Sequence, residues 1–141
     1  MERAAITVTD RDLQALERLL AGVTGASRES AALARLEEEL DRAQVVPVDE
    51  VAPDVVTMGS RVRVRDLDSG AGWEFTLAWS ALNAPPGETR VSIQAPMGAA
   101  VLGYREGDRI EWPVPAGVRR LEIVEVVAQP EALRRRLRRP A

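Results

Sequence analysis

Arg61-Val62-Arg63-Val64-Arg65 alternates strictly between charged and aliphatic side chains, and that period of two decides the fold. Successive residues of a strand face opposite sides of a sheet, so the run predicts a half-buried strand with Val62 and Val64 inward and three arginines outward. Upstream of it the period is helical. Leu13, Leu16, Leu19, Leu20 and Val23 form one helical face, and Leu33, Leu36, Leu40 and Ala43 advance by 3, 4 and 3 residues, the spacing of a paired-helix seam. The change of period falls across Val45 to Pro53, where Pro47 and Pro53 disfavour further helix.

Thr9, followed three residues later by Asp12, reads as a variant capping box that starts the first helix. Two glycines in Gly22-Val23-Thr24-Gly25-Ala26-Ser27 interrupt the pattern, and Ser27 or Ser30 can cap the second helix. On that helix Glu37, Glu38, Glu39, Asp41 and Arg42 occupy most of the faces away from the leucines. At ~1.5 Å per residue the helices extend about 18 and 25 Å, lengths that suit a short antiparallel hairpin, or coiled coil. Beyond residue 65, Trp73–Trp79, Thr89–Gln94, Asp108–Trp112 and Arg119–Val127 are further strand candidates, and their spacing suggests a small antiparallel sheet. Pro96 to Gly103 begins with Pro and ends with Gly, which predicts one short helix covering a sheet face. The class expected is α+β. Its divisions are a hairpin over 1–46, a linker over 47–53, a sheet domain over 54–128, and a flexible Arg-rich tail over 129–141.

A chain of 141 residues can build one ordinary core. With 4% aromatic residues, that core must be aliphatic. The sequence holds neither Cys nor His, which excludes disulfides, thiol catalysis, Ser-His-Asp triads and His/Cys zinc sites. All 19 bases are Arg, so no phosphate-binding loop with its Lys exists and kinase chemistry has no support. No apolar run approaches the ~18 residues of a membrane span, and Met1-Glu2-Arg3-Ala4 lacks a signal-peptide pattern, so a cytoplasmic protein is expected. Residues 1–50 carry 11 acids against 6 bases, whereas 129–141 carry 1 acid and 5 bases. Nucleic-acid backbones are bound by cations, so the acidic front half favours a protein partner. Direct nucleic-acid contact is conceivable only at Arg134–Arg139.

Ala95-Pro96-Met97-Gly98-Ala99-Ala100-Val101-Leu102-Gly103, then Gly107-Asp108, then Pro115-Ala116-Gly117 resembles the C-terminal domain of the Gre transcript cleavage factors. Leu40-Asp41-Arg42-Ala43-Gln44 and Pro53-Asp54-Val55-Val56-Thr57-Met58-Gly59-Ser60-Arg61-Val62 are similar to the regulator of nucleoside diphosphate kinase family in particular. The resemblance covers nearly the whole chain except the Arg-rich tail. It implies an FKBP-like sheet domain that docks at the rim of the RNA polymerase secondary channel, with the hairpin pointing inward. It further implies a cytoplasmic bacterial regulator, read here as a monomer, that competes with Gre factors.

In Gre proteins, as the resemblance implies, a long coiled coil delivers two tip acids that help hold a second catalytic Mg²⁺. Mg²⁺ prefers oxygen ligands, and a two-metal site needs carboxylates close together. The tip here offers Thr24, Ser27, Arg28 and Glu29, with one carboxylate beside an arginine. Glu29 reads as a first-turn acid favoured by the helix dipole, so no catalytic residue, metal ligand or cofactor is assigned and the protein is not read as an enzyme. Gre factors dock through the loop at the position of Pro96, with an acid two positions before it; here Gln94 stands there. Gln94, Ala95, Pro96 and Met97 are the partner-binding candidates. Two other functions stay open: a Gre-like cleavage factor using Glu29, or a regulator of nucleoside diphosphate kinase level or activity. Asp10 with Asp12, and Glu37 with Asp41, read as solvated acidic faces. Trp73, Trp79 and Trp112 read as core or edge residues rather than a prolyl isomerase pocket.

Overall fold

A computed structural model of the chain describes residues 5–22, 31–114 and 117–138. Strand β1 (Thr7–Thr9) runs directly into helix α1 (Asp10–Gly22); helix α2 (Ala31–Asp41) leads to strand β2 (Gln44–Val46). Thr9 ends the strand and caps the helix, its Oγ1 accepting the Asp12 N–H at 3.1 Å, as the Thr9–Asp12 spacing predicts. Leu16, Leu20, Leu33 and Leu36 are buried in one apolar cluster, with Leu13, Leu19, Leu40 and Ala43 packed against it. The β1–β2 pair, parallel and in the register Thr7↔Gln44 to Thr9↔Val46, was not expected. Three-residue strands are too short to show a period.

The second half forms β3 (Arg61–Asp66), β4 (Gly72–Ala78), β5 (Arg90–Ser92), α3 (Pro96–Val101), β6 (Arg109–Val114) and β7 (Gly117–Ala128). These strands make one sheet in the order β5-β4-β3-β7-β6. The α+β class, the five strands and the short helix thus agree with the sequence reading. The sheet is mixed rather than wholly antiparallel, because β5 runs parallel to β4. The connection 79–89, with Pro85-Pro86-Gly87 inside it, is long enough to return the chain to the same end of the sheet, as a parallel pair requires.

Val62 and Val64 are fully buried, and the arginines between them face outward. There Arg61 donates to Glu74 at 2.8 Å, Arg63 to Glu74 at 3.0 Å and Glu125 at 2.9 Å, and Arg65 to Glu122 at 2.6 Å. Exposed pairs of this kind contribute only about 0–1 kcal/mol each. Their larger consequence is that this Arg-bearing face presents little net positive charge.

Within the segment expected to be a flexible tail, residues 130–138 form a helix. α4 (Pro130–Arg138) has Pro at its first position, Glu131 in its first turn and Arg135, Arg136 and Arg138 in its last, an order that suits the helix dipole. Gln129 caps it, Oε1 accepting the Ala132 N–H at 3.2 Å. The same side chain donates through Nε2 to Ala52 O at 2.7 Å and Val55 O at 2.8 Å. Arg135 donates to Val48 O at 3.1 Å and Val51 O at 2.8 Å. The C-terminal helix therefore clamps the linker by hydrogen bonds to its backbone carbonyls.

Candidate functional site

The turn from β5 into α3 displays Gln94, Ala95, Pro96 and Met97. Ser92 shapes it: its Oγ accepts the Gln94 N–H at 3.1 Å and its carbonyl accepts the Ala95 N–H at 2.9 Å. Ala95 is the extended residue before the helix, and Pro96 occupies the first turn, where its fixed φ suits the helix and its missing N–H costs nothing. Gln94 and Pro96 are exposed, while Met97 is partly buried against the core. The helix is held hard against β5. A Cβ added at Gly98 would lie 2.1 Å from Ser92 O, a distance no side chain can occupy.

The far end of α3 is equally constrained. Gly103 has φ +83°, and a Cβ there would meet Ile6 Cβ at 2.6 Å. Its carbonyl accepts the Thr7 N–H at 3.1 Å, so the N-terminal strand is tied to the end of the helix. Only Gly can satisfy both the left-handed backbone and the close approach. The four candidate residues thus come together on a short rigid helix start. They carry no ionisable group, so the arrangement offers a contact surface and no acid–base chemistry.

A buried polar junction links the two halves. Asp12 was expected on a solvated face but is 7% exposed; only Asp10 is at the surface. Asp12 Oδ2 accepts the Met58 N–H at 3.0 Å. Burial raises its carboxyl to about 6, with the Met58 hydrogen bond opposing and the charge of Glu131 adding to the rise. Glu131, also buried, accepts from Thr57 Oγ1 at 2.7 Å, and Thr57 Oγ1 lies 2.9 Å from Ser60 Oγ. α1, the turn before β3 and α4 therefore meet through polar groups.

A second polar cross-link joins α2 to the sheet domain, where the Tyr104 hydroxyl donates to Glu39 Oε1 at 2.8 Å. Burial, and then the Glu39 carboxylate, hold this phenol above its usual range. Trp112 is buried, and Trp73 and Trp79 are each 40% exposed, which gives one core and two edge positions. The tip candidates Thr24, Ser27, Arg28 and Glu29 lie outside the described residues. Among the described residues, no group of three acids is placed to hold a metal ion, and no helix is long and apolar enough to cross a membrane.

Comparison with known proteins follows the same two-part division of helices and sheet. Residues 51–128 match the family model described as transcription elongation factor, GreA/GreB, C-terminal. Residues 5–46 match the one described as Rnk N-terminus. The regulator of nucleoside diphosphate kinase of Escherichia coli strain K12 is 41% identical over 94% of this chain and 96% of its own length. Transcription elongation factor GreA of Clostridium novyi is 38% identical over 67% of this chain and 58% of its own length. Among solved structures, a prokaryotic transcription elongation factor GreA/GreB from Nitrosomonas europaea superposes with a TM-score of 0.65. It is 41% identical and covers 87% of this chain and 98% of its own.

Proposed function

Because this chain belongs to the regulator of nucleoside diphosphate kinase family, with a C-terminal domain of the GreA/GreB type, we propose that it is a transcription regulator that binds RNA polymerase at the secondary channel. On this reading it competes there with Gre factors and does not stimulate transcript cleavage. The observation that carries the proposal is the match of both halves to that family, at 41% identity over 94% of the chain.

Two features of the residues support the division of labour. Gln94 to Met97 sit on a helix start fixed by Ser92 and Gly98, a preorganised surface for a protein partner. In the sequence, Gly22 to Glu29 contain a single carboxylate, Glu29, beside Arg28. α1 has 13 residues, a rise of about 20 Å. One acid in the stretch 22–29 falls short of the paired carboxylates that a shared Mg²⁺ requires.

The test is co-migration of the purified protein with core RNA polymerase on size exclusion. Comigration that a Gre factor abolishes is expected, and separate elution of the two proteins would remove the proposal. A second reading is favoured by the E. coli relative's name, namely regulation of nucleoside diphosphate kinase. Under that reading, added protein would change the activity or the cellular level of that kinase in the absence of polymerase binding.

A further inference from the structure

Beside the Gln94–Met97 turn lies a cleft of about 630 Å³. β4 leaves the sheet at Ala78, whose carbonyl accepts the Ile93 N–H at 2.8 Å, and Ser92 Oγ donates to Trp79 O at 3.5 Å. Trp79 therefore departs next to the residues that shape the turn. Trp79 is 40% exposed and Leu82 76% exposed, and both border the cleft with Met58 and Leu77. A lone exposed Leu is ordinary, but exposed Trp and Leu at one preformed cleft are not.

Arg11 of α1 and Arg134 of α4 also line this cleft. Among the described residues neither makes an ion pair, whereas Arg90 on the same wall is paired with Glu88 at 3.4 Å. The carboxylates at the floor are already engaged, Asp12 by the Met58 N–H and Glu131 by Thr57. Arg11 and Arg134 are the cations of this lining without an ion-pair partner among the described residues. Trp and Arg dominate the energetic centres of protein interfaces, where they bury an apolar body and present a guanidinium. A phosphate backbone, with a charge at every nucleotide, fits less well, because Asp12, Glu88 and Glu131 in the same lining offset the cation excess it needs, whereas a single carboxylate needs only the two guanidinium groups.

We propose that this cleft extends the docking surface begun by Gln94 to Met97. It receives a bulky apolar side chain of the polymerase, with Trp79 and Leu82 as its anchors, and a neighbouring acidic side chain that pairs with Arg11 and Arg134. This rests on the polymerase-binding reading above.

The test measures the affinity of core polymerase for the fluorescently labelled full chain and for three variants with verified circular dichroism. Leu82→Asp is expected to weaken binding about tenfold or more, the range of an interface anchor. The double variant Arg11→Glu/Arg134→Glu should weaken it comparably and flatten its salt dependence. Arg18→Glu, on α1 but outside the cleft, should bind as the parent does. Parent binding with Leu82→Asp and the double variant within about twofold of it would overturn this inference and leave the polymerase reading standing. Absence of parent binding would remove both. Titration with a single-stranded RNA oligonucleotide separates the other macromolecular class: RNA binding abolished by the double variant would overturn the assignment to a protein partner.

Discussion

Replacing Asp12 with Asn tests the buried junction between the helical and sheet halves. Asp12 lies 7% exposed near Glu131, and its carboxyl titrates at about 6 rather than 3.8. That displacement is worth about 3 kcal/mol at ~1.4 kcal/mol per tenfold. The folded state holds the proton more tightly than the unfolded chain does. Its stabilising contribution is therefore complete below the unfolded value of 3.8 and is lost as pH rises through about 6. Asn keeps an acceptor for the Met58 N–H and the backbone N–H that Thr9 caps, but removes the charge. It also gives up an acid in the first turn of α1, which costs about 0.3–1 kcal/mol. Asp12→Asn is thus expected to be more stable than the parent by about 2 kcal/mol near pH 8 and no more stable near pH 4. Urea unfolding of both proteins across that range, followed by circular dichroism, gives the difference directly and cancels the titration of the other carboxylates. A difference that does not change with pH, or a variant less stable than the parent near pH 8, would show that the buried Asp12 charge does not destabilise the junction.

Four further substitutions have defined outcomes. Gln129→Ala removes two hydrogen bonds of 2.7 and 2.8 Å to the carbonyls of Ala52 and Val55 and should cost about 2–3 kcal/mol in urea unfolding, with faster amide exchange throughout α4. Gly98→Ala places a Cβ 2.1 Å from Ser92 O and should destabilise by about 3 kcal/mol, the upper range of overpacking. Gly107→Ala, at φ +88° but in open space, should cost only about 1 kcal/mol; thermal melts separate the two. Gln94→Asp introduces the acid that the Gre resemblance places before the proline and should raise affinity for core polymerase about two- to fivefold, the worth of an exposed ion pair. Fluorescence anisotropy would measure it.

What the sequence made legible was whatever rests on hydrophobic period. The alternation at Arg61–Arg65 and the leucine spacing of the helices report directly which faces are buried, and both faces are buried in the fold. Thr9 and Asp12 marked the start of α1 because capping is local. α4 was hidden for the opposite reason. Its one buried position is Glu131, beside the buried cap Gln129, while Leu133 and Leu137 are 53% and 77% exposed, so a pattern search finds only an Arg-rich stretch with its leucines on the wrong face. The one available signal was local, a Gln before Pro130 and an acid after it. Asp12 was misread in the same way, since the groups that bury it, Met58 and Glu131, are 46 and 119 residues away along the chain. The candidate turn at Gln94–Met97 could be named from the Gre-like motif around Pro96. The cleft beside it could not, because Arg11, Trp79 and Arg134 converge only after α1, the sheet and α4 have packed.

Displacement of a labelled Gre factor from backtracked transcription complexes, with transcript length read from the same samples, reports occupancy of polymerase and cleavage together. The protein is expected to release the Gre factor in a saturable manner, suppress Gre-stimulated cleavage in proportion, and yield no shortened transcript when added alone. Retention of the Gre factor at saturating protein, or transcript shortening by the protein alone, would contradict occupancy without cleavage.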